Sequence, residues 1–147
     1  MKLQQVSVPI ENSRGRLYDI THALGEAGIN LRALNLVDTG EFGTLRILVS
    51  DIVLTRQVLM REQVPARVDT VVAVEIEDQP GRLADLLRLL LDNNINVQYS
   101  YAFAGMKSGK AVMVFRFDDN DKAIEVLKTG NATLLDQSAF GMLDRQP

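Results

Sequence analysis

Apolar and polar positions alternate at the start of the chain and then change to helical spacing. Val6, Val8 and Ile10 are separated by single residues, which is the period of a strand with one buried face. From Leu17 the apolar positions recur every three or four residues, which is the spacing of an amphipathic helix. Gly28 can end this helix by adopting the left-handed conformation. The rest of the first half predicts strands at residues 29–37 and 44–49, a helix at 54–62 and a fourth strand from Pro65.

The second half of the chain predicts the same order of elements. Asn94 stands where Gly28 ends the first helix, and asparagine is the next best residue for that conformation. Each half is therefore predicted to be βαββαβ, an α+β fold in which two helices cover one face of an antiparallel sheet. The predicted elements are strands at 72–76, 95–103, 111–117 and 132–136, helices at 82–93 and 122–128, and a turn at 105–109.

The two halves are also alike in sequence. Residues 6–31 match residues 72–97 without a gap at 11 of 26 positions, where unrelated sequences would match at about two. Gly43 falls on Gly109 under the same shift of 66 residues, so we expect the register of the repeat to hold into the third strand. Two copies of one unit predict two equivalent surfaces and a function that lies between them.

Length and composition narrow the possible classes of protein. The repeat divides the 147 residues into two domains, 1–69 and 70–147, which we expect to pack together because units of this size bury little surface alone. A net charge of −3 disfavours a general affinity for nucleic acid or anionic membranes. The absence of cysteine excludes a disulfide framework and a thiolate metal site. Because we find neither a signal sequence nor an apolar run of membrane-spanning length, we expect a cytoplasmic protein with no membrane partner.

Side chains that could do chemistry are few. His22 is the only histidine, and its place in the helical pattern predicts an exposed position. Residues 118–121 (Asp-Asp-Asn-Asp) lack the glycine and distal glutamate of a calcium loop and precede a helix, where acidic and capping residues are expected. We therefore predict no metal, no cofactor and no catalytic residues, since no nucleophile–base pair is evident.

Three aromatic residues alternate along one strand of the second half. Tyr99, Tyr101 and Phe103 share one face of the sheet. RNA-recognition domains have the same βαββαβ order, but they carry their aromatic residues on central strands of a basic surface. We expect this stripe to be buried against another sheet, where it would suit a homodimer interface.

The loop between the first strand and the first helix has the densest chemistry in each copy. The first turn of a helix has four backbone N–H groups without partners and a partial positive charge. Asn12 or Ser13 in the first copy and Asp78 in the second are suited to cap these donors. Pro80 suits the first helical turn, where its missing N–H costs nothing.

Glycines in the same loop leave room for a ligand. Gly15 and Gly81 have no Cβ, so another backbone or a small molecule can approach closely. A carboxylate could bind the free N–H groups without a dedicated charged side chain. On these residues alone, a capped tight turn without any ligand stays an open alternative.

Asparagine opens the second strand of each copy. The amides of Asn30 and Asn96 can donate and accept, which suits the ammonium and carboxylate of an amino acid, although each could instead cap its own turn. The first two strands of a βαβ unit run in the same direction, so Asn12 and Asn30 are expected at opposite ends. Side-by-side packing of the domains would instead bring Asn12 next to Asn96. The same side-by-side packing would bring Asp78 next to Asn30. It therefore predicts composite sites, each formed by residues of both domains.

These motifs resemble those of the ACT domain, a regulatory module that binds small molecules. Residues 77–83 (Glu-Asp-Gln-Pro-Gly-Arg-Leu) and 94–97 (Asn-Ile-Asn-Val) have its pattern, and 11–17 and 28–31 match in the first copy. The chain is thus similar to the stand-alone tandem ACT proteins of bacteria. The resemblance implies two ferredoxin-like sandwiches and an amino acid bound between domains. The ligand-binding residues that it implies are Asn12, Ser13, Arg14, Gly15, Arg16, Leu17, Asn30 and Leu31, with Asp78, Gln79, Pro80, Gly81, Arg82, Leu83, Asn96 and Val97.

The two copies depart from the family pattern in different ways. Arg14 stands where the family usually has proline, which restores a backbone donor and adds a cation. Asp78 stands where amino-acid-binding members often have asparagine, and its carboxylate would attract an ammonium but repel a carboxylate. We therefore expect two unequal sites.

The function predicted from this resemblance is non-enzymatic regulation by a bound amino acid. We expect a homodimer that presents its ligand state to a regulated enzyme or transcription factor. The alternative is a purely structural oligomerisation module without ligand. That alternative predicts no effect of any amino acid on stability.

Overall fold

The computed structural model describes residues 1–103 and 109–143. In these ranges the elements have the predicted order, which confirms two βαββαβ units in an α+β fold. The predicted turn at 105–109 lies outside the described residues except for Gly109. The elements are β1 (Leu3–Glu11), α1 (Arg16–Glu26), β2 (Leu31–Asp38), β3 (Phe42–Val49), α2 (Ile52–Arg61), β4 (Arg67–Glu77), α3 (Arg82–Asp92), β5 (Val97–Phe103), β6 (Lys110–Phe117), α4 (Asn120–Thr129), β7 (Thr133–Leu135) and a short 3-10 helix (Ser138–Phe140).

β4 is one strand that runs through the junction between the repeats. It joins the last strand predicted for the first half to the first strand predicted for the second half without a break. The chain forms two compact units, and the division between them falls within β4, after Asp69. The domain boundaries inferred from the repeat stay a prediction. One unit comprises Gln4–Asp69 and the described residues from Gln137 onward, and the other comprises Met1–Leu3 and Thr70–Asp136.

The unit that holds the first repeat has β3 between β1 and β2. Both neighbours pair with β3 antiparallel, so β1 and β2 run in the same direction, as predicted. Helices α1 and α2 cover one face of these strands because their apolar rows pack on alternate strand residues. The buried core comprises Val6, Val8, Ile10, Ile20, Leu24, Ile29, Leu45, Ile47, Val49, Ile52, Val58, Leu59 and Val64.

The unit that holds the second repeat has the strand order β5-β6-β4-β7, with every pair antiparallel. β7 is short and pairs only with Ala73–Glu75 of β4. Helices α3 and α4 cover one face of the sheet and complete a separate core. That core comprises Val72, Val74, Leu86, Leu90, Ile95, Met113, Phe115, Phe117, Ala123, Ile124 and Leu127.

The register predicted for the third strand is wrong by two residues. Ile10 lies opposite Gly43, whereas its counterpart Ile76 lies opposite Ala111, so Gly43 corresponds to Ala111 and not to Gly109. The turn before the third strand is therefore two residues shorter in the first repeat. A Cβ at Gly43 would lie 2.6 Å from the carbonyl oxygen of Val37, so the shorter turn requires glycine at this position.

Candidate functional site

Glycine, not a polar side chain, precedes the first helix of each repeat. Gly15 and Gly81 have φ of 85° and 86°, and neither helix has a side-chain cap. The predicted caps by Asn12, Ser13 or Asp78 are therefore wrong. A left-handed glycine holds the position before each helix in their place, and Pro80 precedes the glycine rather than entering the helix.

Asn12 is held by the turn that follows β2. Its backbone N–H donates to the carbonyl of Glu41 at 2.8 Å. Its side-chain amide donates to the carbonyl of Gly40 at 3.1 Å and to the Asp38 carboxylate at 3.4 Å. The loop after β1 and the turn after β2 are thus fixed to each other.

A cavity of about 90 Å³ opens between this loop and the end of β2. Its apolar part is formed by side chains from β1, α1 and β2, and its polar part by the loop and by Asp38. Open space surrounds Gly15, since a Cβ there would meet no heavy atom within 4 Å. The lining residues are Ile10, Glu11, Asn12, Ser13, Leu17, Leu36, Val37, Asp38 and Gly43.

Six of these lining residues were not predicted as site residues, and three of the six come from the end of β2. Leu36, Val37 and Asp38 end β2, and they reach the loop because β2 and β1 flank β3 in the same direction. The alternation of apolar residues indicated a strand here. The strand order that brings its end to the loop depends on pairing between residues far apart in the sequence.

The cationic side chains of the two loops differ in their partners. The side chains of Arg14 and Arg16 make no hydrogen bond or ion pair within residues 1–103 and 109–143. Their second-repeat relative Arg82 pairs with Asp85 at 3.2 Å. The first loop therefore offers two uncompensated cations.

The corresponding loop of the second repeat, residues 78–83, is more acidic and its residues are exposed. Asp78 donates its backbone N–H to the carbonyl of Gly109 at 3.4 Å, and its exposed carboxylate has no partner in the described part of the chain. Gln79 and Leu83 are also exposed. A Cβ at Gly81 would meet no heavy atom within 4 Å.

Asn30 and Asn96 are fixed by their backbones and expose their amides. The N–H of Asn30 donates to Ser50 Oγ at 2.9 Å, and the N–H of Asn96 donates to an Asp118 carboxylate oxygen at 3.1 Å. Neither side-chain amide has a hydrogen-bond partner among the described residues, so neither caps its own turn.

The position of Asn30 separates it from the loop of its own repeat. Asn30 lies beside Ser50, just after β3, whereas Asn12 lies beside Glu41, just before β3. The expectation that they lie at opposite ends is confirmed. Leu31 and Val97, the first residues of β2 and β5, are half-buried.

The histidine and the acidic cluster that were not predicted to bind a metal have structural roles. His22 is exposed and stacks on Tyr18 with ring centroids 5.3 Å apart. Asp119 caps α4 by accepting the N–H of Lys122 at 3.0 Å, which confirms capping by the acidic cluster. Within the described ranges, no group of three histidine or acidic side chains could hold a metal ion.

Across residues 1–103 and 109–143, no helix combines the length and the apolar character needed to cross a bilayer.

Comparison with known proteins supports the family suggested by the loops. Protein BT0572 from Bacteroides thetaiotaomicron is 34% identical, with 97% of this chain and 98% of that one covered and a TM-score of 0.91. The comparison with curated proteins found no match.

Two more distant structures have the same fold. The aspartokinase alpha and beta subunits are 18% identical over 88% of this chain and 92% of theirs, with a TM-score of 0.61. The ligand-free regulatory subunit of aspartate kinase from Thermus thermophilus is 12% identical, with 87% of this chain and 90% of that one covered and a TM-score of 0.61. The family model of the ACT domain pair matches residues 1–142, and the chain therefore belongs to the ACT domain pair family.

Proposed function

We propose that this ACT domain pair is a non-enzymatic regulatory protein that binds a free amino acid at the loops after β1 and β4. The observation that carries the proposal is the cavity of about 90 Å³ beside the loop at residues 12–17. The same loop carries Arg14 and Arg16, whose side chains have no partner among the described residues, and arginine side chains are well suited to bind a carboxylate.

The two ends of an amino acid have different complements in the first site. Arg14, Arg16 and the start of α1 would hold the carboxylate. Asp38 at the other side of the cavity would attract the ammonium, and Leu17 and Leu36 would contact a small apolar side chain. The residues proposed to bind ligand are the sixteen inferred from the sequence, together with Leu36, Val37 and Asp38.

The second site would have a different preference. Asp78 repels a carboxylate, and Arg82 is already paired with Asp85. We propose that this site binds more weakly or takes another ligand.

Asn30 and Asn96 would complete the sites from neighbouring domains, because their amides are exposed and have no hydrogen-bond partner among the described residues. We further propose that the protein is a cytoplasmic homodimer that transmits ligand state to an enzyme or transcription factor. A ligand does so only by its differential affinity for two states of the protein.

The test is thermal unfolding of the protein against each standard amino acid at millimolar concentration. A ligand at about 100 times its Kd stabilises the folded state by about 2.7 kcal/mol, which raises Tm measurably. We expect a selective rise that Asn30→Ala or Asn96→Ala reduces.

Gln57→Ala is the matched control, because it removes an exposed amide from α2, remote in sequence from both loops. It should leave the rise in Tm unchanged. A panel without any selective rise would contradict amino-acid binding and favour the structural oligomerisation module.

A further inference from the structure

The chain returns to the unit of the first repeat after β7. β7 belongs to the unit of the second repeat, whereas residues 137–143 belong to the unit that contains Gln4–Asp69. We name residues 137–143 the C-terminal strap. The strap contains the short 3-10 helix and extends to Leu143. The first repeat is therefore extended by a segment that follows the second repeat in the sequence.

Backbone hydrogen bonds and buried side chains hold the strap in a compact turn. The N–H groups of Phe140 and Met142 donate to the carbonyl of Gln137 at 3.1 Å and 3.0 Å. Gly141 follows the 3-10 helix in the left-handed conformation, with φ of 63°. Phe140 and Met142 are each only 8% exposed, so both side chains anchor the strap.

The strap ends at a residue that is bonded to Asn30. The N–H of Leu143 donates to the carbonyl of Ser50 at 2.8 Å. The N–H of Ser50 donates to the carbonyl of Asn30 at 2.9 Å, and the N–H of Asn30 donates to Ser50 Oγ at 2.9 Å. Ser50 therefore joins the strap to Asn30.

The strap also contacts the irregular start of β2. A Cβ at Gly141 would lie 2.5 Å from Nη2 of Arg32, so the guanidinium lies against this glycine. Arg32 occupies the irregularity in the pairing of β2 with β3, between Leu31 and Ala33. A residue at such an irregularity is held less by the strand pairing than its neighbours are. Contact with the strap can therefore affect the position of this segment.

The second repeat fixes its asparagine without a strap. The N–H of Asn96 donates to an Asp118 carboxylate oxygen at 3.1 Å, and the N–H of Asp118 donates to the carbonyl of Asn96 at 3.1 Å. Asp118 thus has the role that Ser50 has in the first repeat. Among the described residues, no backbone N–H donates to the carbonyl of Asp118. Asn96 is therefore an internal reference for Asn30.

We propose that the C-terminal strap, acting through Ser50, positions Asn30 to bind an amino acid, so that release of the strap weakens binding at the site that Asn30 completes. Because Ser50 is bonded to both Leu143 and Asn30, docking of the strap and binding of the amino acid stabilise each other. Ser50 and Leu143 are positioning residues, since they act through Asn30. This inference rests on the proposed function and adds a regulatory element to it.

The test is amide hydrogen exchange of the full chain, measured by NMR without any amino acid. Met142→Asp puts a carboxylate at a buried anchor, and the cost of burying an unpaired charge should release the strap. Exchange at Asn30 and Ser50 should then become faster by about threefold to tenfold, the factor that corresponds to one lost hydrogen bond. Exchange at Asn96 should not change, because Asp118 fixes it.

Gly141→Val is a second variant, which should release the strap without adding a charge. A β-branched residue disfavours φ of 63°, and its Cβ would crowd Arg32. Leu143→Asp is the control, because Leu143 is 53% exposed and the variant keeps the N–H that Ser50 accepts. It should exchange like the unaltered protein, and circular dichroism should show that all variants fold.

Amino-acid binding gives the second readout, by thermal unfolding with the panel of standard amino acids. Met142→Asp and Gly141→Val should reduce the selective rise in Tm, whereas Leu143→Asp should not. The proposal is overturned if both releasing variants leave exchange at Asn30 unchanged, if exchange increases equally at Asn96, or if the rise in Tm is unaffected. A panel without any rise for the unaltered protein contradicts the proposed function instead, and exchange at Asn30 still decides whether the strap holds this residue.

Discussion

At the scale of single residues, backbone conformation at glycine shapes the candidate sites. Gly15 and Gly81 adopt the left-handed conformation immediately before α1 and α3, and each accepts a backbone hydrogen bond from the aspartate four residues later. Most residues with a Cβ adopt that conformation only at a cost. The space around both glycines is open, so the geometry that starts each helix also leaves room at the proposed ligand site.

We predict opposite effects of alanine at two glycines of the first repeat. Gly15→Ala should lower the free energy of unfolding by about 1–2 kcal/mol, because a Cβ disfavours its positive φ while meeting no neighbouring atom. Gly25→Ala should raise it by about 0.5–1 kcal/mol, because Gly25 lies within α1 and has open space around it. Urea unfolding checks both values. Equal effects of the two substitutions would contradict the conformational explanation.

At the scale of elements, α3 divides its leucines between a core and an open surface. Leu86 and Leu90 are buried against the sheet, whereas Leu87 and Leu91 are exposed. Leu89 contacts the α4 side of the helix, where a Cβ at Gly130 would lie 2.5 Å from its Cδ2 atom. The exposed row is therefore turned away from α4.

We predict that two adjacent leucines of α3 respond very differently to truncation. Leu90→Ala should cost about 2–5 kcal/mol of unfolding free energy, because Leu90 is 1% exposed and its loss leaves a cavity. Leu91→Ala should change the stability of the monomer by less than about 0.5 kcal/mol. Urea unfolding at low protein concentration separates the two. A large effect of Leu91→Ala under those conditions would show that it is packed within its own unit.

At the scale of the whole molecule, duplication has kept the fold and allowed the surfaces to diverge. The loops differ in charge: among the described residues, the side chains of Arg14 and Arg16 in one loop and of Asp78 in the other have no partner. A chain with two unlike loops can give each repeat a separate role.

Much of the fold and part of the site could be predicted from local sequence. The repeat, the alternation of Val6 and Val8 and the left-handed residues at Gly28 and Asn94 fixed the order of elements, because these signals depend on neighbouring residues. The separation of Asn12 from Asn30 followed from strand direction alone.

Other features depended on contacts between distant parts of the chain. The caps predicted at Asn12 and Asp78 were wrong because a glycine changes the turn, and the register of Gly43 was wrong because turn length is set by pairing across the sheet. The sequence by itself determined the elements and the loops that carry chemistry. Only the tertiary structure decided that Leu36 and Asp38 adjoin the first loop, because strand pairing alone brings together residues that lie far apart in the sequence.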